Sequence, residues 1–392
     1  MESFNFFFPT RIVFGNGKLA NLGEETARLG RQALLVTYPS QSLKSAVDQA
    51  VELLRHNGVE TVLFTDIEAN PTHIQVNSGG EAARASGCDV VIGLGGGSAI
   101  DAAKAIAVVA SEAADIWKVY EGQPLTRPSL PLVAVPTTAG TGTEATFFSV
   151  ISHRELKRKE GFARPQFYPT VSIVDPILTL SLPPYMTAAT GLDALSHAIE
   201  AYYCRASTPV VEALAARAIQ LVSENLRRAV FNGKDIVARY NMMLANTLAG
   251  MAITQSDSCL AHVVGEAVGA VYNTGHGVSV AVSLPATMEY NCFAAMDQMA
   301  NIARWMGEDS FGLTTREAAM LAPGAVRTLI EDVGLPLGLA ALGVTENKEV
   351  MALMLRPGMD ASSPRPAAQA DFELLMQACL SSAMSYWELG GK

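Results

Sequence analysis

Cysteine is scarce in this 392-residue sequence and never forms a C-x-x-C pair: Cys88, Cys204, Cys259, Cys292 and Cys379 are scattered singly. That pattern excludes a disulfide framework and a cysteine zinc site, and suits reduced thiols in a cytoplasmic protein. Charge is also thin. Charged residues make up 17% of the chain against 49% hydrophobic, which excludes a disordered polymer. There is no basic excess either; the formal net charge of -10 argues against nucleic acid or an anionic membrane surface as the main partner. No apolar run reaches membrane-spanning length without a charge or turn signal. The opening Met1-Glu2-Ser3-Phe4-Asn5 lacks the basic n-region and apolar core of a signal peptide. Internal repeats and low-complexity tracts are missing too.

What is present is length enough for two cores, and two different textures. The first half alternates short β-rich runs with helical segments. Arg11-Ile12-Val13-Phe14, Ala33-Leu34-Leu35-Val36-Thr37, Thr61-Val62-Leu63-Phe64-Thr65, Asp89-Val90-Val91-Ile92-Gly93-Leu94 and Leu132-Val133-Ala134-Val135 read as strands, with helices over about 42–57 and 73–86. Continuous apolar strands separated by helices indicate a parallel sheet covered on both faces, which binds ligands beyond the carboxyl ends of its strands. After the 89–94 strand comes Gly95-Gly96-Gly97-Ser98-Ala99-Ile100-Asp101, opening an alanine-rich helix. Such a turn lets backbone N–H groups approach an anion, and Ser98 can cap the helix. It is neither G-x-G-x-x-G nor a P-loop. A second phosphate-friendly loop, Pro136-Thr137-Thr138-Ala139-Gly140-Thr141-Gly142-Thr143-Glu144, follows the 132–135 strand. Together they point to a dinucleotide or another phosphorylated ligand. Residues 152–169 are locally basic and read as a hairpin or loop excursion, before a last strand at Val171-Ser172-Ile173-Val174.

The double proline in Ser181-Leu182-Pro183-Pro184 marks the boundary between an α/β domain, 1–182, and a helical domain, 183–392, with the active site expected in the cleft between them. Helical patterns lie over 189–202 and near 209–230, 235–254, 258–270, 294–305, 315–333 and 371–387. Histidine is rare, with six in the chain, and three of them (His197, His262, His276) fall in this half. Asp193 and His197 are four apart and share a helix face; alone they are either a surface ion pair or one side of a metal grip. With His262 and His276 they make one carboxylate and three imidazoles, a donor set suited to Fe²⁺ or Zn²⁺ with a position left for substrate oxygen.

On these residues the sequence resembles the iron-containing (group III) alcohol dehydrogenase family. The likeness rests on Gly95-Gly96-Gly97-Ser98 with Asp101, on the 136–144 loop, on Gly191-Leu192-Asp193-Ala194 with His197, and on His262 with His276-Gly277. It covers nearly the whole chain. It implies a metal held by Asp193, His197, His262 and His276, NAD or NADP as cofactor, a small aldehyde or alcohol as substrate, and a homodimer or larger assembly. By the same resemblance Gly96, Gly97 and Ser98 hold the pyrophosphate, while Asn70, Asp101, Thr137, Thr138, Thr141, Lys159 and Leu178 serve the rest of the nucleotide site.

Three departures from the family pattern stand out. Glu266 replaces the histidine that many members carry as a proton relay. Tyr38 stands where NAD-preferring members often have an aspartate, which leaves NADP admissible. Arg164 or His153, with Phe147 and Phe148 near the same rim, suits an aldehyde bearing a carboxylate, phosphonate or sulfonate. The expectation is a metal-dependent, NAD(P)-linked aldehyde reductase. The alternatives are a glycerol dehydrogenase-like diol oxidiser and a dehydroquinate synthase-like lyase of the same architecture.

Overall fold

The structure, a computed structural model, describes residues 3–381 and 385–391. The outer ends of both predicted domains, and part of the predicted 371–387 helix, fall outside the described residues. The chain divides into two compact units. The α/β unit comprises Phe8–Thr138 and Gly142–Ser181; the helical unit runs from Leu182 onward and takes in the N-terminal residues up to Phe7 and the segment Ala139–Thr141. Phe7 belongs there because it exchanges two hydrogen bonds with Gln255, at 3.2 and 2.7 Å.

The α/β unit contains β1 (Arg11–Phe14), α1 (Leu22–Ala27), β2 (Gln32–Val36), α2 (Lys44–His56), β3 (Glu60–Phe64), α3 (His73–Ala85), β4 (Val90–Gly95), α4 (Gly97–Glu112), α5 (Ile116–Tyr120), β5 (Leu132–Pro136), β6 (Phe148–His153), β7 (Arg158–Ala163) and β8 (Val171–Val174). Six strands form one sheet in the order β1-β8-β5-β4-β2-β3, every pair parallel. The apolar runs of β2, β4 and β5 are buried because side chains serve a core on each face. Leu34 and Val36 join Val76 and Ile106, whereas Ala33 and Leu35 join Leu54 and Ile173. The order reverses between β2 and β4, the point at which open α/β sheets bind ligands. The basic stretch is an antiparallel hairpin, β6–β7, tied to the start of α3 by Ser152 N donating to Pro71 O at 2.8 Å.

The helical unit contains α6 (Pro184–Tyr203), α7 (Pro209–Phe231), α8 (Ile236–Ser256), α9 (Leu260–Tyr272), α10 (His276–Asn291), α11 (Met296–Trp305), α12 (Thr315–Asp332), α13 (Lys348–Met354) and α14 (Gln369–Leu380). Pro184 opens α6 at a position where its missing N–H costs nothing, and from Thr187 to Tyr203 only Thr190 escapes full burial. The sequence patterns did not predict α10 or α13. Pro285 lies inside α10 and removes one helical hydrogen bond, yet Val278 through Asn291 are all buried, and that packing outweighs the break. No helix among the described residues is long and apolar enough to cross a membrane.

Candidate active site

Helices α6, α9 and α10 bring four side chains to one point. Asp193 and His197 project one turn apart from α6, His262 lies in the first turn of α9, and His276 is the first residue of α10. One donor atom from each lies within 4.8 Å of all the others, the sole such cluster found among the described residues. Asp193 Oδ1 is 3.7 Å from His276 Nε2. The rings of His197 and His262 stack at 4.6 Å, and His276 tilts toward His262 at 5.6 Å. Gly277 makes this possible: a Cβ there would meet Ala189 O at 2.5 Å and Asp193 Cβ at 3.1 Å, so only glycine lets α10 approach α6 this closely.

The imidazoles are aimed from behind. His197 Nδ1 faces Gly140 O at 3.3 Å, which leaves Nε2 as the free lone pair. His262 Nδ1 bonds to Glu200 Oε2, and its Nε2 is buried with no hydrogen-bond partner. An orphaned buried nitrogen is costly unless something else meets it. Burial and the neighbouring His262 hold His197 well below 6.5, keeping it a neutral donor. Burial acts the same way on His262, but the charge and hydrogen bond of Glu200, with Asp193 and Glu266 behind, carry it up to about 9. A proton and a divalent cation therefore compete for His262. Donors on opposite sides of a first-row cation sit about 4 Å apart, so the cluster fits one with a small contraction. The pattern of ring nitrogens held by a carbonyl and a carboxylate is the usual outer layer of a metal centre.

The glycine turn lies at the β2/β4 reversal. Gly95 takes φ +152°, open to glycine, and Gly96 caps α4 in extended conformation. Ser98 does not cap the helix as predicted; its Oγ instead accepts from Asn70 N at 3.3 Å, because the helix already starts at Gly97. Lys159 Nζ donates to Asn70 Oδ1 at 2.8 Å, so Asn70, Ser98 and Lys159 are gathered at the turn. Thr137 N donates to Gly95 O at 2.9 Å, and Thr138 lies against Gly96. One contact was not foreseen: Gly96 N donates to the Tyr38 hydroxyl at 3.2 Å.

Residues 9–176 match the description "Iron-containing alcohol dehydrogenase", and residues 187–380 match "Fe-containing alcohol dehydrogenase family, C-terminal". The chain belongs to the iron-containing alcohol dehydrogenase family. It is an oxidoreductase acting on CH–OH groups. A 1,3-propanediol dehydrogenase of Citrobacter freundii is 39% identical over 381 residues, covering 96% of this chain and 98% of that one. The crystal structure of a 1,3-propanediol oxidoreductase superposes with TM-score 0.93 at 37% identity, over 97% of this chain and 100% of that one. A sulfoacetaldehyde reductase from Bifidobacterium kashiwanohense, solved with NAD⁺, gives TM-score 0.86 at 28% identity, over 97% and 100%.

The remaining predicted residues of this dehydrogenase scatter more. Thr141 falls in the helical unit with Gly140, whereas the other expected nucleotide residues lie in the α/β unit. Leu178 is half-buried against the sheet core. Asp101 lies on α4, in the first two turns after the glycine turn. It is buried, and its carboxylate accepts from Thr143 Oγ1 at 2.5 Å and Val150 N at 3.1 Å, tying α4 to the hairpin. Phe148 and Arg164 sit together at one end of that hairpin, and Arg164 Nη2 donates to Val119 O at 2.8 Å. His153 is at the other end, roughly 17 Å along the strand, stacked on His73 at 3.9 Å. The hairpin therefore holds Arg164 and His153 apart, at its two ends. Glu266 lies half-buried on α9, one turn beyond His262. Sequence reasoning missed Glu200, and the contacts that Gly140 and Tyr38 make with His197 and Gly96. The one signal available was Glu200 following His197 by three on the same apolar helix.

Proposed function

We propose that this chain is a metal-dependent, nicotinamide-linked alcohol dehydrogenase that reduces small aldehydes, with Asp193, His197, His262 and His276 as metal ligands. The observation that carries this reading is the four-residue donor cluster, with Asp193, His197 and His262 buried and His276 half-buried, and its orphaned His262 Nε2. Bound there, Fe²⁺ (or Zn²⁺) supplies a Lewis acid for the substrate oxygen, and NAD(P)H on the glycine turn supplies the hydride. Asp193 contributes the anionic donor, and His197 and His262 present nitrogens fixed by Gly140 and Glu200. Gly96, Gly97 and Ser98, with Asn70 and Lys159, orient the nucleotide phosphates. Glu266 takes the role of proton carrier one turn from His262. The apolar helices exclude water around these groups, so fixed charges act strongly.

Family membership and the NAD⁺ complex of the sulfoacetaldehyde reductase support Fe²⁺ and NAD; NADP stays admissible through Tyr38. That neighbour also favours an anion-bearing aldehyde as one substrate class, with Arg164 as its recognition residue, since its guanidinium has donors beyond the one given to Val119. Free cysteines suit a cytoplasmic location, and a homodimer or larger homo-oligomer is proposed on the family likeness. The test is anaerobic purification, measurement of bound Fe and Zn, and NADH and NADPH oxidation with neutral and anionic aldehydes. Metal-bearing protein that neither consumes NAD(P)H with any aldehyde nor forms it from NAD(P)⁺ with any alcohol overturns the reading and favours the lyase alternative.

A further inference from the structure

Glu200 is fully buried in an apolar helix, where a carboxylate is costly unless its oxygens are met. Four donors meet it. Oε1 accepts from Ala261 N at 2.7 Å and from the Tyr203 hydroxyl at 3.5 Å; Oε2 accepts from Cys259 N at 3.0 Å and faces His262 Nδ1. Its one ion-pair partner among the described residues is His262. Cys259 and Ala261 are the N-cap and second residue of α9, so the carboxylate also satisfies orphan amides of a helix start, where negative charge is favoured. Asp193, His197 and Glu200 follow one another by four and three along α6 and share a face. The helix that supplies two donors of the cluster thus also supplies the acceptor that aims a third.

We propose that Glu200 is a positioning residue of the metal centre, holding His262 with Nε2 turned to Asp193 and His197 while pinning the first turn of α9 to α6. This rests on the metal reading above. His197 is aimed by a neutral backbone carbonyl, and His262 by a full charge, which makes His262 the more strongly donating imidazole. A plain helix cap would need the two amides alone. The bond to His262 Nδ1 is the part that a cap does not explain.

The test uses the full chain, stripped of metal and titrated with Co²⁺, in the wild type, Glu200→Gln and Glu200→Asp. Three readouts are taken: Co²⁺ affinity against a chromophoric chelator, the Co²⁺ d–d spectrum, and the metal-free Tm. Gln keeps the length and removes the charge; Asp keeps the charge and withdraws it by one methylene. The expected result is Co²⁺ binding weakened about 10–100-fold in Glu200→Gln, with a changed d–d spectrum. The metal-free Tm reads the loss of the cap separately. If Glu200→Gln does not fold, Glu200→Asp tests the reach of the carboxylate instead, with weakened Co²⁺ binding again expected and wild-type Co²⁺ affinity and spectrum overturning the inference. A lowered metal-free Tm with wild-type Co²⁺ affinity and spectrum makes Glu200 a cap only and overturns the inference. Wild-type protein that takes up no Co²⁺ overturns the metal reading itself, and this inference with it.

Discussion

Adding one methyl group at Gly277 should disable the site without replacing any proposed ligand. Its Cβ would meet Ala189 O at 2.5 Å and Asp193 Cβ at 3.1 Å. An ordinary carbon–oxygen contact demands a retreat of roughly 0.7–1 Å. The obstructing oxygen is backbone in the buried helix α6, so no rotamer change relieves the clash, and α10 must move with His276 at its start. Overpacking of this kind costs about 1–3 kcal/mol. Alanine returns up to about 1 kcal/mol of helix propensity, less in a first turn, so the clash wins by about 1–2 kcal/mol. For a unit of this size that lowers Tm by about 2–8 °C. The effect on metal is larger, because ligand distances tolerate only about 0.2 Å. A misplacement near 1 Å costs about 100-fold in rate. Gly275→Ala is the control, since an added Cβ there meets nothing within 4 Å. Melts of metal-free protein, Co²⁺ titration and aldehyde-dependent NAD(P)H oxidation should separate the two variants. A Gly277→Ala protein with wild-type metal affinity and an unchanged or higher Tm would refute the close-approach argument.

Asp193→Ala or His197→Ala should abolish metal content and aldehyde reduction while NADH binding, followed by fluorescence, stays near wild type; a variant that keeps both metal and activity sinks the metal reading. Tyr38→Phe frees the Gly96 N–H and should tighten NADH or NADPH binding about 2–10-fold, the worth of one neutral hydrogen bond. Unchanged or weaker binding counts against Tyr38 as a competitor for that amide. Arg164→Ala should lower kcat/KM at least about tenfold for a sulfonate- or phosphonate-bearing aldehyde relative to a neutral one; equal losses on both assign Arg164 to its Val119 bond alone. Burial pushes Lys104 down to about 8, against the pull of Asp101 and Glu144. The unfolded chain keeps that proton up to about pH 10.4, so the unfolded state binds more protons in this window and stability rises with pH, by at most about 1.4 kcal/mol per pH unit. Lys104→Met should flatten that slope in denaturant melts, and an unaltered slope excludes Lys104 as its source.

The parts of the fold legible in the sequence are those in which one local pattern decides. The apolar runs of β2, β4 and β5 could only be strands buried on both faces, and the glycines at 95–97 could only be a tight turn. Helix α10 was hidden because glycines flank His276 and Pro285 interrupts the run, and burial that overrides such breakers is a property of the packed unit. Ala139–Thr141 was read as part of the first domain for a similar reason. Gly140 packs against Thr190 and bonds to His197, and no neighbour in sequence announces either contact. The site divides along the same line. Histidines and an aspartate in an apolar stretch are conspicuous because their burial needs a reason. A lone glutamate in Ala198-Ile199-Glu200-Ala201 shows no partner until α9 is folded against it. Residues that bear the chemistry are therefore visible by residue type, whereas those that aim them are visible only by contact. Tyr38 belongs to the second kind: as a tyrosine after a strand it says only that an aspartate is absent, while its hydroxyl on Gly96 makes cofactor choice a question about one backbone amide.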